Sequence, residues 1–138
     1  MPCTKGFIVK IRVYYEDTDM GGIVYHANYL KFCERARSEC FFQDGDTPHI
    51  DGGEFVAASL QANFKASAKL GDLLDVKTEI ASLKRSYLLL KQSVLKDGRT
   101  LFEMDIKLAY VKSGKVSRMS DETHEHICRL YPKELVEG

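Results

Sequence analysis

The sequence lacks a charge of one sign, long apolar runs and paired metal-ligating cysteines. Its 138 residues carry 20 basic and 20 acidic side chains, for a formal net charge of zero. Without a surplus of lysine and arginine there is no general electrostatic drive to neutralise a phosphate backbone. That argues against nucleic acid as a partner and leaves only local basic patches. No apolar run reaches the roughly 18 residues a membrane helix needs, so nothing reads as a span. The opening Met1 to Lys10 lacks the basic, apolar and small-residue layout of a signal peptide, and the expected compartment is the cytoplasm. The four cysteines, Cys3, Cys33, Cys40 and Cys128, show neither C-x-x-C spacing nor a paired-histidine partner, which suits a reduced protein better than a disulfide scaffold. Internal repeats, low-complexity tracts and linkers are also missing.

What is present fits one globular domain over residues 1–138. Apolar residues make up 44% and charged residues 29%, and the length allows one sizeable core. Between Phe7 and Tyr15 the odd positions Phe7, Val9, Ile11, Val13 and Tyr15 are apolar while Lys10 and Arg12 fall between them, a period of two that predicts a half-buried strand. A polar, turn-like stretch from Glu16 to Gly22 follows. From about Tyr25 to Gln43, Tyr29, Phe32, Cys33, Ala36 and Cys40 recur at helical spacing, with Lys31, Glu34, Arg35, Arg37, Ser38 and Glu39 on the other faces. Cys33 and Cys40 are seven apart, hence on one face, and read as core residues. Asp44-Gly45-Asp46-Thr47-Pro48 then breaks the helix, and a loop runs to Gly53.

From Glu54 to about Lys112 the pattern is of strands. Phe55 to Phe64 and Tyr87 to Leu95 are apolar runs, Leu74, Val76, Thr78 and Ile80 alternate with charged residues, and Thr100 to Tyr110 alternates most regularly. Asp97-Gly98 predicts a tight hairpin, since glycine accepts the positive φ of a type I′ turn. Ser113-Gly114-Lys115 is a further turn, and Ser120 is placed to cap a short closing helix ending near Tyr131 and Pro132. One strand, one long helix and four or so antiparallel strands predict an α+β domain with one apolar helix on one curved sheet. A single helix covers a single face, so the other face or a sheet edge needs a partner, and a homo-oligomer is expected.

Chemistry concentrates between the first strand and the helix, in Tyr14-Tyr15-Glu16-Asp17-Thr18-Asp19-Met20-Gly21-Gly22-Ile23-Val24-Tyr25-His26-Ala27-Asn28. Glu16, Asp17 and Asp19 stand just before a helix whose first N–H groups have no intrahelical acceptor. Such a junction supplies a carboxylate to attack a carbonyl carbon or activate water, and donors to hold the developing oxyanion. Acyl transfer or hydrolysis is the reaction class these parts suit. The same carboxylates also serve as ordinary helix-dipole partners, and Asp17-Thr18-Asp19 is also a weak metal-binding pattern.

The stretch from Val13 to Phe32, continuing as Glu34-Arg35-Ala36-Arg37, resembles the signature of the YbgC-type acyl-CoA thioesterases, in the 4-hydroxybenzoyl-CoA thioesterase branch of the hotdog superfamily. Looser similarity extends through Ala68-Lys69-Leu70-Gly71-Asp72-Leu73-Leu74 and Ser113-Gly114-Lys115. The resemblance implies a hotdog fold, in which one long central helix packs against a curved antiparallel sheet of five or six strands. It implies hydrolysis of an acyl-CoA to a carboxylate and CoA, with Asp19 as nucleophile or general base and the backbone N–H of His26 polarising the carbonyl. Tyr25 and Asn28 match letters of the signature and are expected at the substrate pocket. The resemblance further implies a homotetramer built from dimers with sites at subunit interfaces, and leaves open whether CoA or an acyl carrier protein bears the acyl group. Met20 departs from the small residue usual there, which bears on acyl preference, and Cys33 stands where an aromatic is common.

The phosphates of CoA call for basic residues near the pocket mouth, and Lys84, Arg85, Lys115 and Arg118, on turns, are the candidates. No metal, flavin or nicotinamide is implied, CoA being part of substrate and product. His49, His124 and His126 read as surface residues rather than metal ligands. Two alternatives remain beside hydrolysis: a non-catalytic module binding acyl-CoA or an acyl carrier protein, and a dehydratase using a histidine with Glu34 or Glu39.

Overall fold

A computed structural model describes residues 7–130. Cys3 and the expected helix end near Tyr131 and Pro132 lie outside the described residues. In chain order the elements are β1 (Phe7–Arg12), α1 (Asn28–Phe42), β2 (Glu54–Phe64), β3 (Leu73–Leu83), β4 (Tyr87–Lys96), β5 (Arg99–Lys112), β6 (Lys115–Val116) and α2 (Asp121–Leu130), with a 3-10 turn at Tyr15–Asp17. The strands form one antiparallel sheet in the order β1-β3-β4-β5-β2, with β6 paired to β5. This is the α+β arrangement expected from the sequence, with one long helix against a six-stranded sheet.

The alternation in the strands decides which face is covered. Leu74, Val76, Thr78 and Ile80 of β3, Leu88, Leu90, Gln92 and Val94 of β4, and Phe102, Met104, Ile106, Leu108 and Tyr110 of β5 are all buried. Onto them α1 lays Tyr29, Phe32, Cys33, Ala36, Cys40 and Phe41. Each large apolar side chain buried in this way contributes about 1.5–3 kcal/mol. Cys33 and Cys40 are core residues, as their spacing predicted. The helix is also hydrogen-bonded to the sheet. The fully buried Gln92 donates from Nε2 to the Cys33 carbonyl at 2.8 Å and to Thr78 Oγ1 at 2.9 Å, and its Oε1 accepts from Arg37 at 3.3 Å. That satisfies a buried amide which would otherwise cost about 1–3 kcal/mol.

Local chemistry sets the connections. Asp97 and Gly98 have φ values of 49° and 82°, the two positive angles of a type I′ hairpin. Ser120 Oγ accepts from the Thr123 amide at 3.1 Å, capping α2. The loop after α1 carries a turn at Asp51 and Gly52 closed by a bridge between Ile50 and Gly53. Gly53 lies so close to the Tyr110 ring that a Cβ there would sit 2.5 Å from Cζ. The Tyr110 hydroxyl donates to the Ile50 carbonyl at 2.7 Å, tying this loop to the end of β5.

β2 behaves differently from the other long strands. It reads as an apolar run, yet it is the outer strand next to β5, and Val56, Leu60 and Phe64 are 45%, 44% and 53% exposed. Its outer backbone edge pairs with nothing among the described residues.

Candidate active site

The segment between β1 and α1 is folded by its own hydrogen bonds. The Asp19 amide donates to the Ile23 carbonyl at 2.9 Å and Gly22 donates back to the Asp19 carbonyl at 3.0 Å, with Gly22 at φ +81°. Thr18 bridges Val24, and Ile23 bridges Lys69. Val24 donates to the Ala68 carbonyl at 2.9 Å, and the Ala68 amide donates to the Tyr29 hydroxyl at 3.0 Å. This small hairpin is thereby fixed between α1 and the approach to β3. Tyr29 stacks on Phe102 with ring centroids 5.1 Å apart, and burial pushes its phenol pKa up.

Asp19 sits on the exposed side of this hairpin. Its Oδ1 accepts from the Gly21 amide at 2.8 Å, while Oδ2 meets no donor among the described residues. Asp17 has the opposite environment at 2% exposure: its Oδ2 accepts from the Tyr14 amide at 2.9 Å, and its carbonyl accepts both the Tyr25 amide at 3.0 Å and Asn28 Nδ2 at 2.9 Å. Asp17 and Asp19 therefore do not form the metal-binding pair that their spacing allowed.

α1 starts three residues later than its periodicity suggested, because Tyr25 to Ala27 form a turn closed by the Asn28 amide on the Tyr25 carbonyl at 2.8 Å. Ala27 at the N-cap has no side chain able to cap. As a result the amides of His26 and Ala27 meet no protein acceptor among the described residues. Unpaired amides at a helix start are ready donors to an oxyanion. The His26 imidazole lies between the Tyr25 ring at 4.5 Å and the Phe64 ring at 6.0 Å. Thus the structure brings Asp19, Tyr25 and His26 onto one loop, with Asn28 the first residue of α1 and its side-chain Nδ2 donating to the Asp17 carbonyl.

Asp72 supports the same region. Burial works against its charge, but the Lys69 amide at 2.8 Å and the Lys96 ammonium at 3.0 Å outweigh it and hold the carboxyl below its ordinary range. Beside α1 and the sheet is a cavity of about 670 Å³ whose lining includes Leu30, Phe41, Phe55, Leu60, Ile106 and Leu108. It begins one helical turn beyond His26, and neither Asp19 nor His26 lines it.

Within one chain the four basic residues lie far from the Asp19 loop. Lys84 and Arg85 occupy the β3–β4 turn as expected, while Lys115 opens the short strand β6 and Arg118 follows its end. Along β5, Phe102 pairs with Phe64, near His26, whereas Tyr110 pairs with Phe55 at the other end of β2. Eight residues of strand, about 26 Å, separate those pairs, so within one chain the basic turns stand at the opposite end of the sheet from Asp19. Arg85 is in addition ion-paired with Asp121 of α2 at 2.9 Å. His126 is likewise not a free surface group. Its Nε2 lies 3.0 Å from Asp44 and 3.6 Å from Asp46, tying α2 to the loop after α1. These three residues are the one group of metal-capable side chains among those described, and they lie outside the Asp19 loop.

Residues 21–108 match the model of the family described as the thioesterase superfamily. The chain belongs to that superfamily. Within it, the chain falls in the YbgC-type branch. It is 40% identical over 116 residues to the acyl-CoA thioesterase YbgC of Haemophilus influenzae, covering 81% of this chain and 85% of that protein. It is 49% identical over 86 residues to the Helicobacter pylori protein of the same name, covering 62% of this chain and 65% of the relative, so the chain spans just under two thirds of that protein's length. A probable thioesterase from Bartonella henselae superposes with a TM-score of 0.78 at 32% identity, covering 83% of this chain and 99% of that one. This thioesterase-superfamily chain therefore has the hotdog fold. No helix among its described residues is long and apolar enough to cross a membrane.

Proposed function

We propose that the protein is an acyl-CoA thioesterase that hydrolyses an acyl-CoA to a carboxylate and free CoA. The observation that carries this reading is the placing of the Asp19 carboxylate and the unpaired His26 and Ala27 amides on one hydrogen-bonded loop at the start of α1. The thioester carbonyl oxygen accepts from the His26 N–H, so that negative charge developing on it meets an oriented donor. Asp19 then either attacks the carbonyl carbon, expelling CoA thiolate and leaving an acyl-aspartyl anhydride for water to open, or deprotonates the water that attacks. No further cofactor is needed for either route. The cavity along α1 starts one turn from His26 and is lined mainly by apolar side chains, with Lys31, Glu34 and Arg37 among them; its apolar part suits the acyl group.

A dimer accompanies this reading. β2 presents an eleven-residue unpaired edge with exposed Val56, Leu60 and Phe64, a ready template for another strand. A two-fold pairing of β2 with β2 of a second copy is antiparallel, so it sets the Phe55 end of one protomer beside the Phe64 end of the other. That exchange moves the partner's basic turns toward Asp19 and offers Lys84, Lys115 and Arg118 to the CoA phosphates; Arg85 stays engaged with its own α2.

The test is thiol release from a panel of acyl-CoAs and from an acyl-carrier-protein thioester. Asp19→Asn, which keeps size and loop geometry, is expected to lower kcat by about a thousandfold or more with unchanged melting temperature. Turnover by Asp19→Asn equal to that of the parent refutes the assignment, and stoichiometric acyl-CoA binding without thiol release identifies a binding module instead.

A further inference from the structure

We infer that Asn28 is a positioning residue that holds the oxyanion donors in register with Asp19, acting through the backbone of Asp17; the inference rests on the proposed pairing of Asp19 with the His26 amide.

Four facts lead to it. The Asp17 carbonyl accepts two hydrogen bonds, from the Tyr25 amide at 3.0 Å and from Asn28 Nδ2 at 2.9 Å, and these close the loop from either side of His26 and Ala27. Those two amides have no protein acceptor among the described residues, and the segment bearing them is clamped at both ends to one oxygen atom. Asp17 is itself held, by its amide on the Tyr14 carbonyl at 2.9 Å and by its buried carboxylate on the Tyr14 amide at 2.9 Å. Asp19 follows two residues later and is tied by its own amide to Ile23. Nucleophile and donors thus share Asp17 as a common reference point.

The clamp matters because the start of α1 has no side-chain cap of the ordinary kind. Ala27 provides no side-chain cap, and the first two bonds into the helix, from Tyr29 to His26 and from Leu30 to Ala27, are long at 3.4 and 3.2 Å. Without the Asn28 side chain, the Tyr25–Ala27 turn stays closed by the Asn28 amide on the Tyr25 carbonyl at 2.8 Å but is anchored to Asp17 only through the Tyr25 amide, about which the whole turn is free to pivot. An ångström of displacement at a reacting centre is enough to cost about a hundredfold in rate. Asn28 also sits at the first position of α1, where an aspartate of the same size is favoured by the helix dipole. Asn28→Asp therefore removes the donor while keeping the helix start.

The experiment compares the parent with Asn28→Ala, Asn28→Asp and Asp19→Asn, measuring kcat and KM on one acyl-CoA, the inhibition constant of free CoA, and the melting temperature. Asn28→Ala and Asn28→Asp are expected to lower kcat by about 10- to 100-fold, with KM and the CoA inhibition constant within about threefold of the parent. A raised KM with unchanged kcat makes Asn28 a substrate contact and overturns the inference. So does a kcat within about threefold of the parent for a folded Asn28→Asp. If Asp19→Asn keeps its activity, the fault lies in the functional reading itself; if Asp19→Asn is inactive while both Asn28 variants turn over normally, only the clamp is refuted.

Discussion

If the site is built across a β2–β2 dimer, two inactive chains should repair each other. One carries Asp19→Asn; the other keeps Asp19 but has Lys84, Lys115 and Arg118 changed to alanine. The second set of changes is about 26 Å along β5 from the Phe64 end, too far to act on the same chain's Asp19. Each exposed cation facing a phosphate is worth at most about 1 kcal/mol, so the triple change costs up to about 3 kcal/mol, or about a hundredfold in kcat/KM. In a random mixture half the dimers are mixed, and each has one doubly defective site and one with Asp19 from one chain and all three cations from the other. Co-expressed from two differently tagged genes, the mixture should regain about a quarter of the parent kcat/KM at low substrate. Purification through both tags in turn should raise that to about a half, because all dimers are then mixed. Activity no higher than the mean of the two parent variants would refute the exchange of ends, and with it the antiparallel edge pairing. The measurement belongs at low ionic strength, where phosphate contacts are least screened.

Two further outcomes follow from the environments of single groups. Burial pushes the Cys33 thiol up to about 12 and Cys40 is 3% exposed, so iodoacetamide at pH 8 should label the half-exposed Cys128 and leave Cys33 and Cys40 untouched until denaturant is added; mass spectrometry that finds Cys33 alkylated in the native protein contradicts the packing of α1. Asp72 has a folded pKa below its ordinary value, so its contribution to stability is complete above the unfolded carboxylate range and is lost as pH falls through the folded value. Asp72→Asn should thus lower the melting temperature by a few degrees at pH 7, with the gap closing below about pH 4, and a gap independent of pH excludes the Lys96 ion pair as its source.

Legibility in the sequence followed the range of the interactions. Period-two alternation placed β1, β3 and β5, and helical spacing placed the buried face of α1, because those patterns are set by neighbours along the chain. Asp97-Gly98 was readable for the same reason. The sequence pattern did not distinguish Phe55 to Phe64 as an exposed edge from a buried central strand, since an apolar run bounded by turns looks alike in both places. The loop carrying Asp19 and His26 was legible as a loop before a helix, and its resemblance to a family singled out the two residues. That Asp17 is buried and Asn28 docked on it was not legible, because both facts depend on backbone atoms brought together by the hairpin at Thr18 and Val24. The distance of Lys84 and Lys115 from Asp19, and the meeting of His126 with Asp44, 82 residues away, depend wholly on how the sheet is ordered.

The exposed edge, the uncapped helix and the solvated carboxylate are best understood together. In one chain Asp19, His26 and Ala27 are all exposed residues, so hydration is open to their unpaired groups at little cost. Electrostatic help to a developing oxyanion is nevertheless weak in that setting, since high dielectric reduces every charge interaction several-fold. Phe64, next to His26, is at once part of the apolar edge and a neighbour of the donors. If β2 pairs with a second copy as proposed, water leaves both in the same step: Val56, Leu60 and Phe64 are buried, which favours association, and the dielectric falls around Asp19 and the His26 amide, which favours the proposed chemistry. On this reasoning the apolar area of β2 and the proposed reactivity of the Asp19 loop are linked through one surface, and a chain with a polar β2 would lose the environment that the proposed site requires.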